Sequence, residues 1–291
     1  MGAAGVPMTA TTVDAPSIAV AQGAVSSKRT PGWKVALGRL GSIVLSIVVV
    51  LAAWEIFLWA LNVNPFIARH PIDVWRFVTS DPEAAAHRTA VWNASVTTIT
   101  DAMLGLFAGA IVGVLCAVVF NLARSVEQTV MPVALAFSAV PLVAMTPLIA
   151  LIFGRGLMAV TVIAGIVTFF PVLVNVTLAL RSTPAASMDL CTAYGASPTT
   201  TLRKVQFPNS LPALFASVRI AAPLALIGAL LAEWLATGKG LGYLMLSSQT
   251  LSEYTMLWTA VALVTTYSII VYSVISGLER VILGRYGAPT T

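Results

Sequence analysis

Six long apolar runs constrain this chain more than any other feature. They lie at Gly41–Leu61, Ala102–Phe120, Val130–Phe153, Leu157–Leu180, Leu211–Ala236 and Met256–Leu278. A helix crossing the hydrocarbon core of a bilayer needs about 20 mainly apolar residues, so each run is long enough to cross once. The pattern predicts an all-α integral membrane protein with six transmembrane helices. Charge is correspondingly scarce: Asp, Glu, Lys and Arg make up 9% of 291 residues, against roughly a quarter in an ordinary soluble domain. That deficit excludes a soluble globular enzyme.

The few charges set the orientation. With the N-terminus in the cytoplasm, ten of the 16 basic residues fall inside: Lys28, Arg29, Lys34, Arg39, Arg124, Arg181, Arg203, Lys204, Arg280 and Arg285. Five fall outside (Arg69, Arg76, Arg88, Arg155 and Lys239), and Arg219 stays within the fifth run. The positive-inside rule therefore favours both termini in the cytoplasm. The net charge of +5 is scattered over the chain and forms no nucleic-acid footprint. Residues 1–38, rich in Ala, Thr, Ser and Gly, read as a disordered cytoplasmic tail. Residues 39–285 read as the membrane domain and 286–291 as a C-terminal tail.

Cys116 lies in an apolar run and Cys191 in a polar loop, so neither a disulfide framework nor a metal site is supported. His70 and His87, 17 residues apart without a Cys or acidic pattern, read as surface histidines. Gly238-Lys239-Gly240 lacks the Ser or Thr and the upstream glycine of a phosphate loop. No acid–base pair or activated nucleophile stands out. The chain is expected to be no enzyme and to bind no cofactor itself.

Within the runs, Glu55, Asp101, Arg219 and Glu233 are ionisable, and a charge in lipid must be paired, wetted or turned to the bundle interior. Asp101 and Glu233 have a second reading, as helix-end residues in the headgroup region. Arg219 either pairs with a carboxylate or snorkels to the cytoplasmic face. Gly105, Gly109 and Gly113 recur every four residues, on one helix face that permits close packing; an assembly interface is the other reading. Pro132, Pro141, Pro147 and Pro171 interrupt helical hydrogen bonding in the third and fourth runs. Pro141, Pro147 and Pro171, with Arg219 and Glu233, are candidates for a translocation path, and packing kinks are the alternative for the prolines.

The most informative segment is the predicted cytoplasmic loop 181–210. Ser182-Thr183-Pro184 offers a helix start, Gly195 a stop after Tyr194, and Ser197-Pro198 a second cap with Pro at the first helical position. Pro208 biases Phe207 away from helix, so the second helix is expected to end near Gln206. Two short helices about a glycine bend, with Leu190, Tyr194, Leu202 and Val205 beside Asp189, Arg203 and Lys204, suit docking into a groove on another protein; a plain solvated loop is the other reading.

Asp189-Leu190-Cys191-Thr192-Ala193-Tyr194-Gly195, nine residues, then Val205-Gln206-Phe207-Pro208 resembles the EAA loop of permeases from ATP-binding cassette (ABC) importers. That loop reads Glu-Ala-Ala, three residues, Gly, nine residues, Ile, any, Leu, Pro. Gly195 and Pro208 match in identity, Asp189 stands for the Glu, and Leu190 and Cys191 depart from the paired alanines. Pro65-Phe66, Pro71-Ile72-Asp73-Val74, Val140-Pro141-Leu142, Thr146-Pro147-Leu148, Phe153-Gly154, Phe170-Pro171, Ser217-Val218-Arg219, Ala232-Glu233 and Gly240-Leu241-Gly242-Tyr243 extend the likeness. Together they resemble the nitrate/sulfonate/taurine-type permeases.

That resemblance implies a type I ABC importer permease in the inner membrane of a bacterium. Its partners would be separate ATPase subunits holding ATP and Mg, an extracytoplasmic substrate-binding protein, a second permease copy as a homodimer, and membrane lipid. It implies ATPase coupling through Asp189, Tyr194, Gly195, Ala196, Ser197, Arg203 and Pro208. The solute would be a sulfonate-, taurine- or nitrate-like anion, or a thiamine-related pyrimidine. An ion-gradient-driven secondary transporter using Glu55, Asp101 or Glu233 is the alternative, although such proteins often carry internal repeats and none is evident between these halves.

Overall fold

The computed structural model describes residue 45, residues 48–62, residue 64 and residues 66–285. The two predicted tails, Lys28, Arg29, Lys34, Arg39, Pro65 and most of the first apolar run before Val48 lie outside the described residues. The chain divides into Met1–Ala53 and Trp54–Thr291, and the second unit holds the helical bundle.

Every regular element among the described residues is helical. In chain order they are α1 (Val48–Ala60), α2 (Pro71–Thr79), α3 (Ala84–Leu122), α4 (Arg124–Ser138), α5 (Leu142–Phe153), α6 (Leu157–Arg181), α7 (Ala185–Ala193), α8 (Pro198–Thr237), α9 (Gly240–Thr250) and α10 (Tyr254–Arg285). Helices α3, α6, α8 and α10 are each long and apolar enough to cross a membrane, and α4 with α5 form a pair bent by 104° that can act as one broken span.

Three local outcomes differ from expectation. Helix α3 begins 18 residues before Ala102 and places Asp101 in its interior rather than at an end. The polar stretch 84–101 contains neither Gly nor Pro, and its threonines turn back on their own helix: Thr97 Oγ1 donates to Asn93 O (3.1 Å) and Thr100 Oγ1 to Val96 O (2.7 Å). Polarity alone does not stop a helix whose hydroxyls find carbonyls four residues back.

Of the four prolines, only Pro141 stands at a break, as the N-cap of α5; Pro132, Pro147 and Pro171 lie inside helices. Helix α8 also does not end near Gln206. It passes Pro208 through a π turn at Leu202–Gln206, where the Phe207 N–H donates to Leu202 O. A π turn inserts one residue into the helical ring, and the wider ring accommodates a proline that lacks an N–H and needs room for its Cδ.

The core lies where α3, α6 and α8 meet. Leu106, Ala117 and Phe120 from α3, Ile163, Leu173 and Val176 from α6, and Ala222, Leu226 and Ala229 from α8 are buried together. Lipid is as apolar as these side chains, so close packing and interhelical hydrogen bonds must hold the bundle. A Cβ added at Gly105 would overlap Ala164, one at Gly109 would overlap Thr168 Oγ1, and one at Gly113 would press on Phe169 O and Val172 at 3.1 Å. All three glycines therefore face α6. Thr168 Oγ1, buried in that seam, reaches both Gly105 O (3.2 Å) and Gly165 O (3.0 Å).

Candidate functional site

Helices α3 and α8 run in opposite directions, and polar contacts tie them at both ends. At one end Asn121 Nδ2 donates to Gln206 Oε1 at 2.8 Å. At the other, α9 is bonded to Thr98 of α3 and Glu233 of α8. Between Gln206 and Glu233 a helix rises about 40 Å at about 1.5 Å per residue, the thickness of a bilayer with its headgroups. The loop joining α6 to α8 thus lies at one end of a membrane-length bundle.

Helix α7 is closed by a Schellman motif, which sequence spacing anticipated only as a glycine stop. Gly195 is left-handed (φ +63°), its N–H donates to Thr192 O (3.0 Å), and the Ala196 N–H donates to Cys191 O (2.9 Å). These two bonds satisfy carbonyls that the helix end would otherwise leave open. Two residues on, Ser197 caps α8: its Oγ accepts from the Thr200 N–H at 3.3 Å, and Pro198 occupies the first helical position. The bend therefore has a defined shape, and Gly195 is the residue that makes it without steric conflict.

Asp189, Leu190, Tyr194, Gly195, Ser197 and Arg203 are exposed, and Ala196 and Pro208 are half-buried. Leu190 and Tyr194, four apart across the end of α7, are 61% and 83% exposed. The two form an exposed pair of large side chains at the end of a short, capped helix. The next residues are its opposite: Thr201, Leu202 and Ser210 are buried and root the start of α8 in the bundle. Arg181, at the end of α6, is ion-paired with Glu127 of α4, so the loop is anchored to α4 as well as α3. Sequence reasoning missed both anchors, because Asn121, Glu127 and Gln206 carry no spacing signal that links them.

The five candidate path residues do not form one cluster. Arg219 Nη1 donates to Glu279 Oε2 of α10 at 2.9 Å, and its guanidinium lies 5.7 Å from the Tyr272 ring centre. Of the two readings left open for Arg219, pairing with a carboxylate is the one observed. Glu233 lies about 21 Å farther along α8 and is fully buried, with Oε2 accepting from the Gly242 N–H at 2.7 Å. Asp101 is buried too, so both acids are enclosed by the bundle. Pro141 and Pro147 belong to the bent α4–α5 pair, Pro171 to the middle of α6.

Glu55 Oε2 is 2.6 Å from His70 Nδ1, both half-exposed. His87 is half-buried and stacks on Phe77 with ring centres 3.9 Å apart; it is less a surface histidine than expected. Cys116 and Cys191 are free.

Residues 105–286 match the family described as binding-protein-dependent transport system inner membrane component. The chain is similar to the riboflavin transport system permease protein RibX of Chloroflexus aurantiacus, with 36% identity over 55% of this chain and 60% of the relative. It is similar to the formylaminopyrimidine transport permease protein ThiX of Halalkalibacterium halodurans, with 29% identity over 62% of this chain and 72% of the relative. It is also similar to the taurine transport system permease protein TauC of Escherichia coli, with 23% identity over 74% and 79%.

In fold it resembles a chain of the MetNI methionine ABC transporter, solved in inward facing conformations. The TM-score is 0.60 at 21% identity, over 70% of this chain and 99% of that one. The family match over residues 105–286 decides between the two transport readings that the residues left open. The chain is a multi-pass membrane protein, a transport subunit and no enzyme, and it belongs to the family of binding-protein-dependent inner membrane components, the permease subunits of ABC importers.

Proposed function

We propose that this permease crosses the membrane six times with both termini cytoplasmic, and that the loop 181–210 is the lever through which a separate ATPase drives it. The four long helices and the bent pair α4–α5 supply five crossings, and the run containing α1 supplies the sixth. The excess of Lys and Arg beside the loop and the termini supports this orientation. Residues 1–38 and 286–291 are cytoplasmic tails, and 39–285 is the membrane domain.

The observation that carries the reading is the continuity of α8. From the Ser197 cap at the exposed bend to Thr237, about 60 Å away at about 1.5 Å per residue, the backbone is one helix. A push on Leu190, Tyr194 or Arg203 moves the whole of α8 against α3 and α6. Asp189, Gly195, Ala196 and Ser197 give the bend its shape, and Pro208 sits where the lever enters the bundle. ATP and Mg bind the partner ATPase subunits; this chain holds no cofactor. Moving a minor permease state to dominance requires the ATPase to favour it by a few kcal/mol, about 5.5 for a reversal from 1:99 to 99:1.

The chain works as a homodimer in a bacterial inner membrane, contacts lipid, and receives solute from an extracytoplasmic binding protein. The solute is small, either a sulfonate- or taurine-like anion or a pyrimidine-type heterocycle. The higher identity to the riboflavin and formylaminopyrimidine permeases supports the heterocycle. The test is uptake into proteoliposomes holding the chain with its ATPase and binding protein. ATP-dependent uptake that fails in Gly195→Pro is expected; uptake driven by a proton or sodium gradient alone, with no ATPase copurifying, would overturn the proposal.

A further inference from the structure

The N-terminus of α9 has no cap of its own. Its N-cap residue, Lys239, makes no side-chain capping bond, yet Leu241 and Gly242 at the helix start are fully enclosed, where an unpaired N–H is costly. Both are satisfied from other helices. The Leu241 N–H donates to Thr98 Oγ1 of α3 at 2.8 Å, and the Gly242 N–H donates to Glu233 Oε2 of α8 at 2.7 Å. The carboxyl also faces the positive end of the helix dipole.

The surrounding residues are fitted to this contact. Glu233 opens the second π turn of α8, Glu233–Thr237, which ends on left-handed Gly238. Gly240, at φ +85°, leaves the space a Cβ would take from the Glu233 carboxyl, and a Cβ on Gly242 would fall 2.6 Å from Leu230 O. Thus Ala232-Glu233 and Gly240-Leu241-Gly242, two motifs apart in sequence, are halves of one joint.

From this geometry we infer that Glu233 and Thr98 are positioning residues for transport: they cap α9 from two neighbouring helices and make it move as one body with α3 and α8. The inference rests on the lever reading above and extends it. A displacement entering at Gly195 travels along α8 and leaves through Glu233 to α9, at the far end of the bundle. Glu233 is then neither a solute contact nor an ion carrier; its carboxyl is enclosed by Gly240 and Gly242, and its role requires an acceptor oxygen rather than a charge.

The joint is tested in the full-length chain in membrane vesicles, with Cys116 and Cys191 replaced by Ser and a reporter Ser248→Cys on α9. Ser248 is 1% exposed, so maleimide labelling reports release of the helix. Thr98→Ala and Glu233→Ala are expected to raise the labelling rate about tenfold, the effect of losing one buried hydrogen bond. They should lower the maximal rate of ATP-driven uptake with KM for the solute unchanged. Thr98→Ser and Glu233→Gln, which keep an acceptor oxygen, should retain both protection and uptake.

Unchanged labelling in both alanine variants would overturn the joint. So would loss of uptake in Glu233→Gln with protection intact, because that outcome assigns the role to the charge. Labelling needs neither solute nor ATPase, so failure of the importer reading leaves the labelling pattern standing, whereas failure of the joint abolishes it whatever drives uptake.

Discussion

Adding a single methyl group at Gly109 tests how closely α3 and α6 approach. In Gly109→Ala the new Cβ overlaps both Thr168 Oγ1 and the backbone carbonyl oxygen of Gly165, so the two helices must also move apart. Thr168 must rotate away and give up its bonds to Gly105 O and Gly165 O. Overpacking costs about 1–3 kcal/mol and the lost hydrogen bonding about 0.5–1.5 kcal/mol, against a gain of about 1 kcal/mol in helix propensity. The net is a loss of about 0.5–3.5 kcal/mol.

Gly113→Ala meets its nearest atoms at 3.1 Å; a shift of a few tenths of an ångström relieves it, and propensity leaves the change near zero. Gly277→Ala enters open space on α10 and stabilises by up to about 1 kcal/mol. Thermal unfolding of the three variants in one detergent, read by tryptophan fluorescence, should rank them Gly277→Ala, Gly113→Ala, Gly109→Ala. At about 2–4 °C per kcal/mol for a chain of this size, the extremes should differ by several degrees. Equal Tm values for Gly109→Ala and Gly277→Ala would refute the close seam.

Other sites give predictions of the same kind. Gly195→Ala forces a side chain into the left-handed region at about 1–2 kcal/mol; it should lower the Tm of the isolated permease by about 2–8 °C and reduce solute-stimulated ATP hydrolysis by the assembled complex even at temperatures well below that Tm. Arg219→Met leaves half-buried Glu279 without its partner and should destabilise by about 1–3 kcal/mol, below the 3–5 of a fully enclosed pair because both side chains are partly exposed. Adding Glu279→Met should recover most of that loss, as denaturation of the double variant would report. Asn121→Leu should speed hydrogen exchange in residues 202–207, where the π turn loses its tie to α3, and leave exchange in the middle of α6 unchanged.

The features legible in sequence were those with a local cause. Ser197-Pro198 announces a helix start because cap and first turn are neighbours in the chain, and the three glycines four apart announce a packed face because helical spacing is fixed. Pro208 misleads for a tertiary reason: whether a proline ends a helix or is absorbed by a π turn depends on what holds the following turns, here the burial of Leu202, Ser210 and Ser217. The extent of α3 was hidden because polar residues in 84–101 face neighbours that sequence does not reveal; Ser95, Thr98 and Asp101 are buried there. Pairs such as Asn121 with Gln206, Arg219 with Glu279 and Thr98 with Leu241 join residues 60 to 143 positions apart, and no periodicity encodes a partner at that distance. The loop was readable down to its bend, while the contacts that tie it to α3 and α4 were not.

The central claim is that the bend at Gly195 is where the ATPase takes hold. A photocrosslinking amino acid placed at Tyr194 tests it directly in the complex purified from membranes. The account predicts a crosslink from position 194 to the ATPase subunit, changed in yield when ATP is bound, and none from exposed Trp92 of α3 near the opposite end of the bundle. Position 194 free of the ATPase in a complex that still transports would contradict it.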